Sequence, residues 1–132
     1  MDNIDVREYD VKALAYIGDA VYEVYVRRYL MKHSREQVNK LHKKAVKYVS
    51  AKAQACVIEN IQEIMEEDIL SIFKRGRNAG ANTVPKNTDV VTYKIATGFE
   101  AVVGFLYLTG QQERLDNFVA KAFAIIEEKY IK

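Results

Sequence analysis

Apolar residues along this chain recur at intervals of three and four positions, a spacing typical of amphipathic helices. The first such run predicts a helix from about Val11 to Met31 that is apolar nearly all round between Ala13 and Val26. No stretch alternates apolar and polar residues for long enough to indicate a strand, and six glycines and one proline leave few helix breakers. The pattern therefore predicts an all-α fold, a helical bundle around this central buried helix.

Capping residues and breakers indicate four further helices. Ser34 with Gln37 three residues later forms a capping box, which predicts the start of a second helix running through the fifties. Asp89 is one of three adjacent candidate caps for the fourth helix, and Gly110 is expected to end it. The third helix is predicted from 66 to between 76 and 80, the fourth from about 88 to 109 and the fifth from 112 to 130. One clear loop, 79 to 88, precedes the fourth helix.

Composition excludes several classes of protein. A length of 132 residues predicts one domain spanning 1–132, and 49% hydrophobic with 29% charged residues excludes a disordered chain. No apolar run approaches the roughly 18 residues that a membrane-spanning helix needs. No segment near the start resembles a signal peptide. The single Cys56 excludes an internal disulfide, and two histidines cannot complete a zinc site, so any bound metal is expected to be a hard cation on carboxylates.

Two acidic residues lie within apolar segments. Asp19 follows Gly18 in the first helix, and Glu100 occupies a run of small and apolar residues in the fourth. An isolated buried carboxylate is costly unless it is paired, hydrogen-bonded or bound to a cation. Small neighbours predict that the two helices pack closely, which would place a Mg²⁺ or Mn²⁺ between the acids for metal-assisted phosphodiester hydrolysis. Pairing with a buried Arg or Lys is equally compatible with either acid alone, and their joint occurrence favours a metal site.

Two groups of cationic residues are candidates for contacting a phosphate backbone. One group lies within a single arc of the second predicted helix, and the other surrounds the loop. The first consists of Lys40, Lys43, Lys44 and Lys47, and the second of Lys74, Arg75, Arg77 and Lys86. Four lysines on one face alone are better explained as an ordinary solvated surface, and the net charge of +2 does not by itself indicate a nucleic-acid-binding protein.

Two segments resemble known motifs. Tyr16–Glu23 reads YIGDAVYE and resembles the signature motif of the ribonuclease III family, while Ala96–Gly104 reads ATGFEAVVG and resembles that family's second acidic motif. Together with Lys74–Ala79 and the lead Thr88–Tyr93, these segments make the chain similar to the Mini-ribonuclease III group of the family over nearly its whole length.

The resemblance implies an all-helical, homodimeric endoribonuclease that uses Mg²⁺, with Mn²⁺ as a substitute, and cuts double-stranded RNA to leave 5′-phosphate ends. It implies a cytoplasmic bacterial protein that matures the 23S ribosomal RNA precursor, and it leaves open whether a ribosomal protein assists. The group lacks the separate double-stranded-RNA-binding domain of ordinary ribonuclease III, and this chain is expected to have no room for one. The two cationic groups are therefore the expected RNA contacts.

The resemblance also assigns site residues. Asp19 matches the catalytic, metal-binding aspartate of the signature, and Glu100 matches the glutamate of the second motif. Glu23, one turn after Asp19, is a candidate for orienting a metal-bound water. Asp89 is a candidate replacement metal ligand, but it lies about three turns before Glu100 and cannot share a metal with it unless a dimer partner supplies it, so helix capping is the favoured role.

Departures from the family pattern support a rival function. Ordinary ribonuclease III carries two further metal-binding acids where this chain has Ala15 and Thr97, which implies one well-bound ion per site. The rival is a catalytically inactive ribonuclease III-like protein that binds RNA during ribosome assembly. Retention of Asp19 and Glu100 argues against it. A third possibility, a helical protein-interaction module, predicts no salt-dependent RNA binding.

Overall fold

The computed structural model describes residues 5–79, 84 and 89–131, which form six α-helices and no β-strand. The all-α prediction is confirmed. Numbered in chain order, the helices are α1 (Val11–His33), α2 (Val38–Val49), α3 (Ala51–Ile61), α4 (Glu67–Asn78), α5 (Val90–Leu108) and α6 (Gln112–Ile126). Short 3₁₀ turns cover Val6–Glu8 and Gln62–Ile64, and a π-helical turn covers Glu127–Ile131.

Side-chain caps fix the starts of three helices. Asp10, Ser50 and Asp89 each accept a backbone N–H from the first turn that follows, at 3.1, 3.2 and 3.1 Å. Such caps satisfy donors that a helix start leaves without partners. Gly110, with φ 70°, follows the end of α5 in the left-handed conformation that favours glycine. The predicted cap at Asp89 and the predicted stop at Gly110 are both confirmed.

The predicted second helix is wrong in two respects. Gln37 makes no side-chain cap, and the Ser34 hydroxyl accepts from the N–H of Glu36 at 3.4 Å rather than opening a helix. The helix also breaks at Ser50, whose backbone is extended with ψ 152°. Serine competes with the helix by bonding nearby backbone groups, so Ser50 ends α2 and caps α3.

The central helix is α5 rather than α1. Helices α1, α3 and α4 all pack against α5, and most of its residues from Ala96 to Leu106 are buried. One side of α1 is uncovered instead: the side chains of Tyr16 and Val24 are 84% and 58% exposed. The apolar residues of α1 indicate that the helix packs against other helices, but they do not indicate which of its sides another helix of this chain covers.

Helix α5 is also long and apolar enough to cross a membrane by length and composition, with a mean hydropathy of 1.2. Lys94 and Glu100 interrupt this helix, so it is not the uninterrupted apolar run that the sequence analysis considered. The packing of three helices on α5 accounts for its composition, because the core helix of a bundle has the same apolar character.

Glycines bring α1 and α5 into direct backbone contact. A Cβ atom at Gly18 would overlap the carbonyl oxygen of Glu100, and a Cβ atom at Gly104 would overlap the carbonyl oxygen of Leu14. Each helix therefore presents a glycine to the other helix's backbone. The close approach expected at Gly18 is confirmed.

Replacing either glycine of this crossing should destabilise the fold. An exposed helix position gains about 1 kcal/mol when Gly becomes Ala. For Gly18→Ala and Gly104→Ala we expect instead a loss of about 3 kcal/mol or more, because two backbones must separate to admit a methyl group. Denaturant unfolding measures the difference, with Ser71→Ala as a control at an exposed position of α4 outside the crossing. Stabilisation by Gly18→Ala would contradict the observed contact.

Candidate active site

The α1–α5 crossing places the carboxyl groups of Asp19 and Glu100 side by side. Asp19 follows the contact residue Gly18 on α1, and Glu100 is the residue whose carbonyl that glycine faces on α5. When Glu100 is protonated, it donates a hydrogen bond to Asp19. The structure therefore brings together the two acids that the sequence singled out.

The two carboxyl groups differ in their access to solvent. Asp19 is exposed, so the expectation that it is buried in an apolar run is wrong. It lies at the edge of the uncovered side of α1, where no other described helix packs over it. Glu100 is half-buried beneath it. The pair thus has one open member that can meet a substrate and one enclosed member.

Burial and like charge make the ionised form of Glu100 costly. Burial is the largest cause that raises the pKa of Glu100 to about 8, and the charge of Asp19 and its hydrogen bond add to the effect. The charge of Glu23 raises this pKa further, and a hydrogen bond from Gln54 lowers it. No cationic side chain is among the groups that shift it.

The alternative of a buried Arg or Lys partner is not what the structure shows. Among the described side chains, which exclude that of Arg7, no Lys or Arg forms an ion pair with Asp19 or Glu100. The nearby Arg27 pairs with Glu23, at 3.2 Å between Nε and Oε2. Within the described part of the chain, the two adjacent acids therefore have no cationic partner.

Gln54 is a site residue that the sequence analysis missed. Its side chain is 1% exposed, and its Nε2 donates to Oε2 of Glu100 at 3.4 Å. A signal was present, because Gln54 shares the apolar face of α3 with Val57, Ile58 and Ile61, at intervals of three, four and seven residues. A polar residue on such a face needs a partner from another helix.

The positions that hold further acids in ordinary ribonuclease III are not ligands here. Ala15 is buried at 6% exposure, and the Thr97 hydroxyl donates to the carbonyl of Tyr93 in its own helix at 3.0 Å. Asp89 caps α5 and is about three turns from Glu100. No group of three or more His, Cys, Asp or Glu residues in the described part of the chain is arranged to hold a metal.

The oxygen donors present suit a hard divalent cation that keeps much of its water. Mg²⁺ is commonly held by one or two carboxylates together with waters and substrate phosphate, and it does not need an all-protein cage. Asp19 and Glu100 supply two adjacent carboxyl groups that no described Lys or Arg neutralises, so a divalent cation fits the charge of this pair. Glu23 lies close enough for its charge to act on Glu100.

The cationic groups are placed mainly on open surface. Lys40, Lys43 and Lys47 are exposed on α2, whereas Lys44 pairs with Glu36 at 2.6 Å. In the second group, Lys74 and Arg75 are exposed on α4, and the Arg77 guanidinium lies 5.5 Å from the centre of the Phe73 ring. The predicted Lys86 lies outside the described residues.

Comparison with known proteins identifies the family. The family model for the Ribonuclease III domain matches residues 12–111, a range that includes Asp19, Gln54 and Glu100. The chain belongs to the ribonuclease III family. It is therefore an endoribonuclease, and the family acts on double-stranded RNA.

Relatives within the ribonuclease III family are similar over most of their length. A Mini-ribonuclease 3 of Streptococcus pneumoniae is 47% identical over 126 residues, covering 94% of this chain and 98% of that protein. A Mini-ribonuclease 3 of Clostridium tetani is 43% identical over 125 residues, covering 94% and 83%. The crystal structure of a Fusobacterium nucleatum protein, 30% identical, has a TM-score of 0.83 and covers 91% of this chain and 96% of its own. The resemblance to the Mini-ribonuclease III group is confirmed.

The shifted pKa of Glu100 predicts a specific pH dependence of stability in EDTA. The folded state binds a proton on Glu100 up to about pH 8, whereas an ordinary glutamate loses it near 4.5. Ionisation of Glu100 therefore lowers stability as pH rises through this window. Glu100→Gln should be more stable than wild type by a margin that grows between these values and then levels off, on the order of a few kcal/mol. Denaturant unfolding from pH 4 to 9 measures this margin, and a margin independent of pH would contradict the assignment.

Proposed function

We propose that this endoribonuclease requires Mg²⁺, with Mn²⁺ as a substitute, and that Asp19 and Glu100 are its metal-binding and catalytic residues. The observation that carries the proposal is the adjacent pair of carboxyl groups at the α1–α5 crossing, with which no described Lys or Arg side chain pairs. Double-stranded RNA is the substrate class of the family. The proposed cleavage leaves 5′-phosphate ends, as the resemblance to the family implies.

The exposure and contacts of Asp19, Glu100 and Glu23 support a different proposed role for each. A Mg²⁺ ion held by Asp19 and Glu100 would supply a Lewis acid that lowers the pKa of a coordinated water. Glu100, whose pKa is raised by burial and by the charge of Asp19, would have to be ionised to hold such a cation. Asp19, being exposed, is the carboxylate nearest to an approaching phosphodiester. Glu23, held by Arg27 at 3.2 Å, is the candidate for orienting the attacking water.

A second copy of the chain is the proposed partner for the uncovered side of α1. Ala13, Tyr16, Ala20 and Val24 form an exposed apolar surface on the helix that carries Asp19. A homodimer formed there would bring two sites together, one for each strand of an RNA duplex. Exposed apolar surface beside the catalytic residues supports this arrangement.

The proposed grip on RNA comes from the exposed lysines of α2 and from Lys74 and Arg75 of α4. Contacts of this kind bind phosphates without regard to sequence. Maturation of the 23S ribosomal RNA precursor in the bacterial cytoplasm is the proposed biological role, which follows from the resemblance to the Mini-ribonuclease III group. Whether a ribosomal protein assists is decided by whether purified protein alone cuts the precursor.

An inactive RNA-binding protein of ribosome assembly is the second candidate. The buried Ala15 and the internally bonded Thr97 favour it, because they leave only two carboxyl groups at the crossing. It predicts salt-dependent RNA binding without cleavage.

Cleavage of an RNA duplex by the purified protein tests the proposal. We expect cleavage with Mg²⁺ or Mn²⁺, none with EDTA, and a loss of about 1,000-fold in Asp19→Asn and Glu100→Gln, comparable to the several kcal/mol that a catalytic metal supplies. Glu113→Gln is the matched control, because Glu113 is an exposed acid at the start of α6 and outside the site.

RNA binding measured in parallel separates the two candidates. Glu100→Gln should keep duplex binding, whereas Lys40, Lys43 and Lys47 changed together to Ala should weaken binding and reduce its dependence on salt. Binding by the wild type without cleavage, on a generic duplex and on precursor ribosomal RNA, would overturn the nuclease proposal and support the assembly function.

A further inference from the structure

We propose that Gln54 is a positioning residue of the active site, whose carboxamide holds Oε2 of Glu100 so that the carboxylate is presented to the divalent cation. The inference rests on the proposed metal-dependent function and extends it to a third helix. Gln54 belongs to α3, whereas the two acids belong to α1 and α5.

Packing alone does not explain a glutamine at this position. Gln54 is 1% exposed and lies among Ala53, Val57 and Ile58, which are equally buried. A buried carboxamide without partners costs roughly 1–3 kcal/mol, and Met or Leu would occupy similar volume without that cost. The side-chain partner that the structure gives to the amide nitrogen is Glu100, at 3.4 Å.

The neutral charge of the amide suits this task. A Lys or Arg at position 54 would neutralise Glu100 and compete with a cation, and a Glu would add a third negative charge. Gln54 donates one hydrogen bond and leaves the charge of the Asp19–Glu100 pair available. The distance of 3.4 Å is long, as hydrogen bonds of active sites often are before cation and substrate bind.

The backbone around Gln54 is fixed by the start of α3. The Ser50 side chain caps this helix, and the N–H of Gln54 donates to the carbonyl of Ser50 at 3.0 Å. Helix α3 packs directly on α5, which carries Glu100. The carboxamide is therefore presented from the first turn of a capped helix rather than from a loop, as precise positioning requires.

The first experiment measures cation binding without RNA. Thermal midpoints of wild type, Gln54→Met and Gln54→Leu are followed over a titration with MgCl₂, and over a second titration with MnCl₂. Wild type should show a saturable rise in midpoint, and both variants should need about tenfold more cation for half of the full rise. Gln62→Met is the matched control, because Gln62 follows α3 without contacting Glu100, and it should match wild type.

The second experiment measures duplex cleavage against Mg²⁺ concentration for the same proteins. The half-activating concentration should rise by the same factor in Gln54→Met and Gln54→Leu, and the rate should recover at saturating Mg²⁺. The KM for RNA should stay that of wild type, since Gln54 is buried away from the surface. A residue that only supports folding would change the thermal midpoint without moving the Mg²⁺ dependence.

The outcomes separate this inference from the proposed function. A wild type that neither responds to cation nor cuts RNA would overturn both. A wild type that responds, with the cation dependence of both Gln54 variants unchanged, would overturn the positioning role alone and leave Gln54 as a core residue. Two substitutions of different shape are included so that poor folding of one does not decide the result.

Discussion

Direct contact between the backbones of α1 and α5 is the constraint on which the site depends. Gly18 on α1 leaves room for the carbonyl oxygen of Glu100, and Gly104 on α5 leaves room for the carbonyl oxygen of Leu14. A side chain at either glycine would overlap that oxygen. That approach sets the distance between the helices, and it also sets the distance between the carboxyl groups of Asp19 and Glu100, which are carried beside the contact. The two glycines thus have two effects. They let α1 pack closely on α5, and they place the carboxyl groups of Asp19 and Glu100 side by side.

The crossing also brings two negatively charged groups close together, which makes ionisation of Glu100 unfavourable. Burial and the neighbouring charge of Asp19 raise the pKa of Glu100, and no described Lys or Arg side chain pairs with either acid to offset this effect. The fold therefore holds a proton on Glu100 that a divalent cation can replace. Gln54 is the one buried polar side chain of the described core, and it contributes a neutral donor to Glu100 without changing the charge available to a cation. The adjacent acids, the glycines that bring them together and the neutral amide of Gln54 are all consistent with a site for metal-assisted hydrolysis.

Sequence reasoning located the acids because each interrupts an apolar run next to small residues, and local spacing located the cap at Asp89. It failed where an outcome depends on neighbours distant in the chain. Asp19 was expected to be buried, yet nothing in the run around it shows that one side of α1 has no covering helix. Ser50 interrupts a continuous amphipathic pattern because its hydroxyl accepts a hydrogen bond from the N–H of Ala53 and so starts a new helix. The spacing of apolar residues does not indicate this break. Gln54 was visible as a polar residue on an apolar face, but its partner lies on α5 and becomes apparent only in three dimensions.

The central claim is that Asp19 and Glu100 jointly bind a divalent cation. X-ray diffraction from crystals grown with MnCl₂ tests it most directly, because manganese gives an anomalous signal that water and Mg²⁺ do not. The account predicts a peak bridging the two carboxyl groups, about 2 Å from an oxygen of each. An intact crossing with a Lys or Arg between the acids, or with manganese bound only elsewhere, would contradict it.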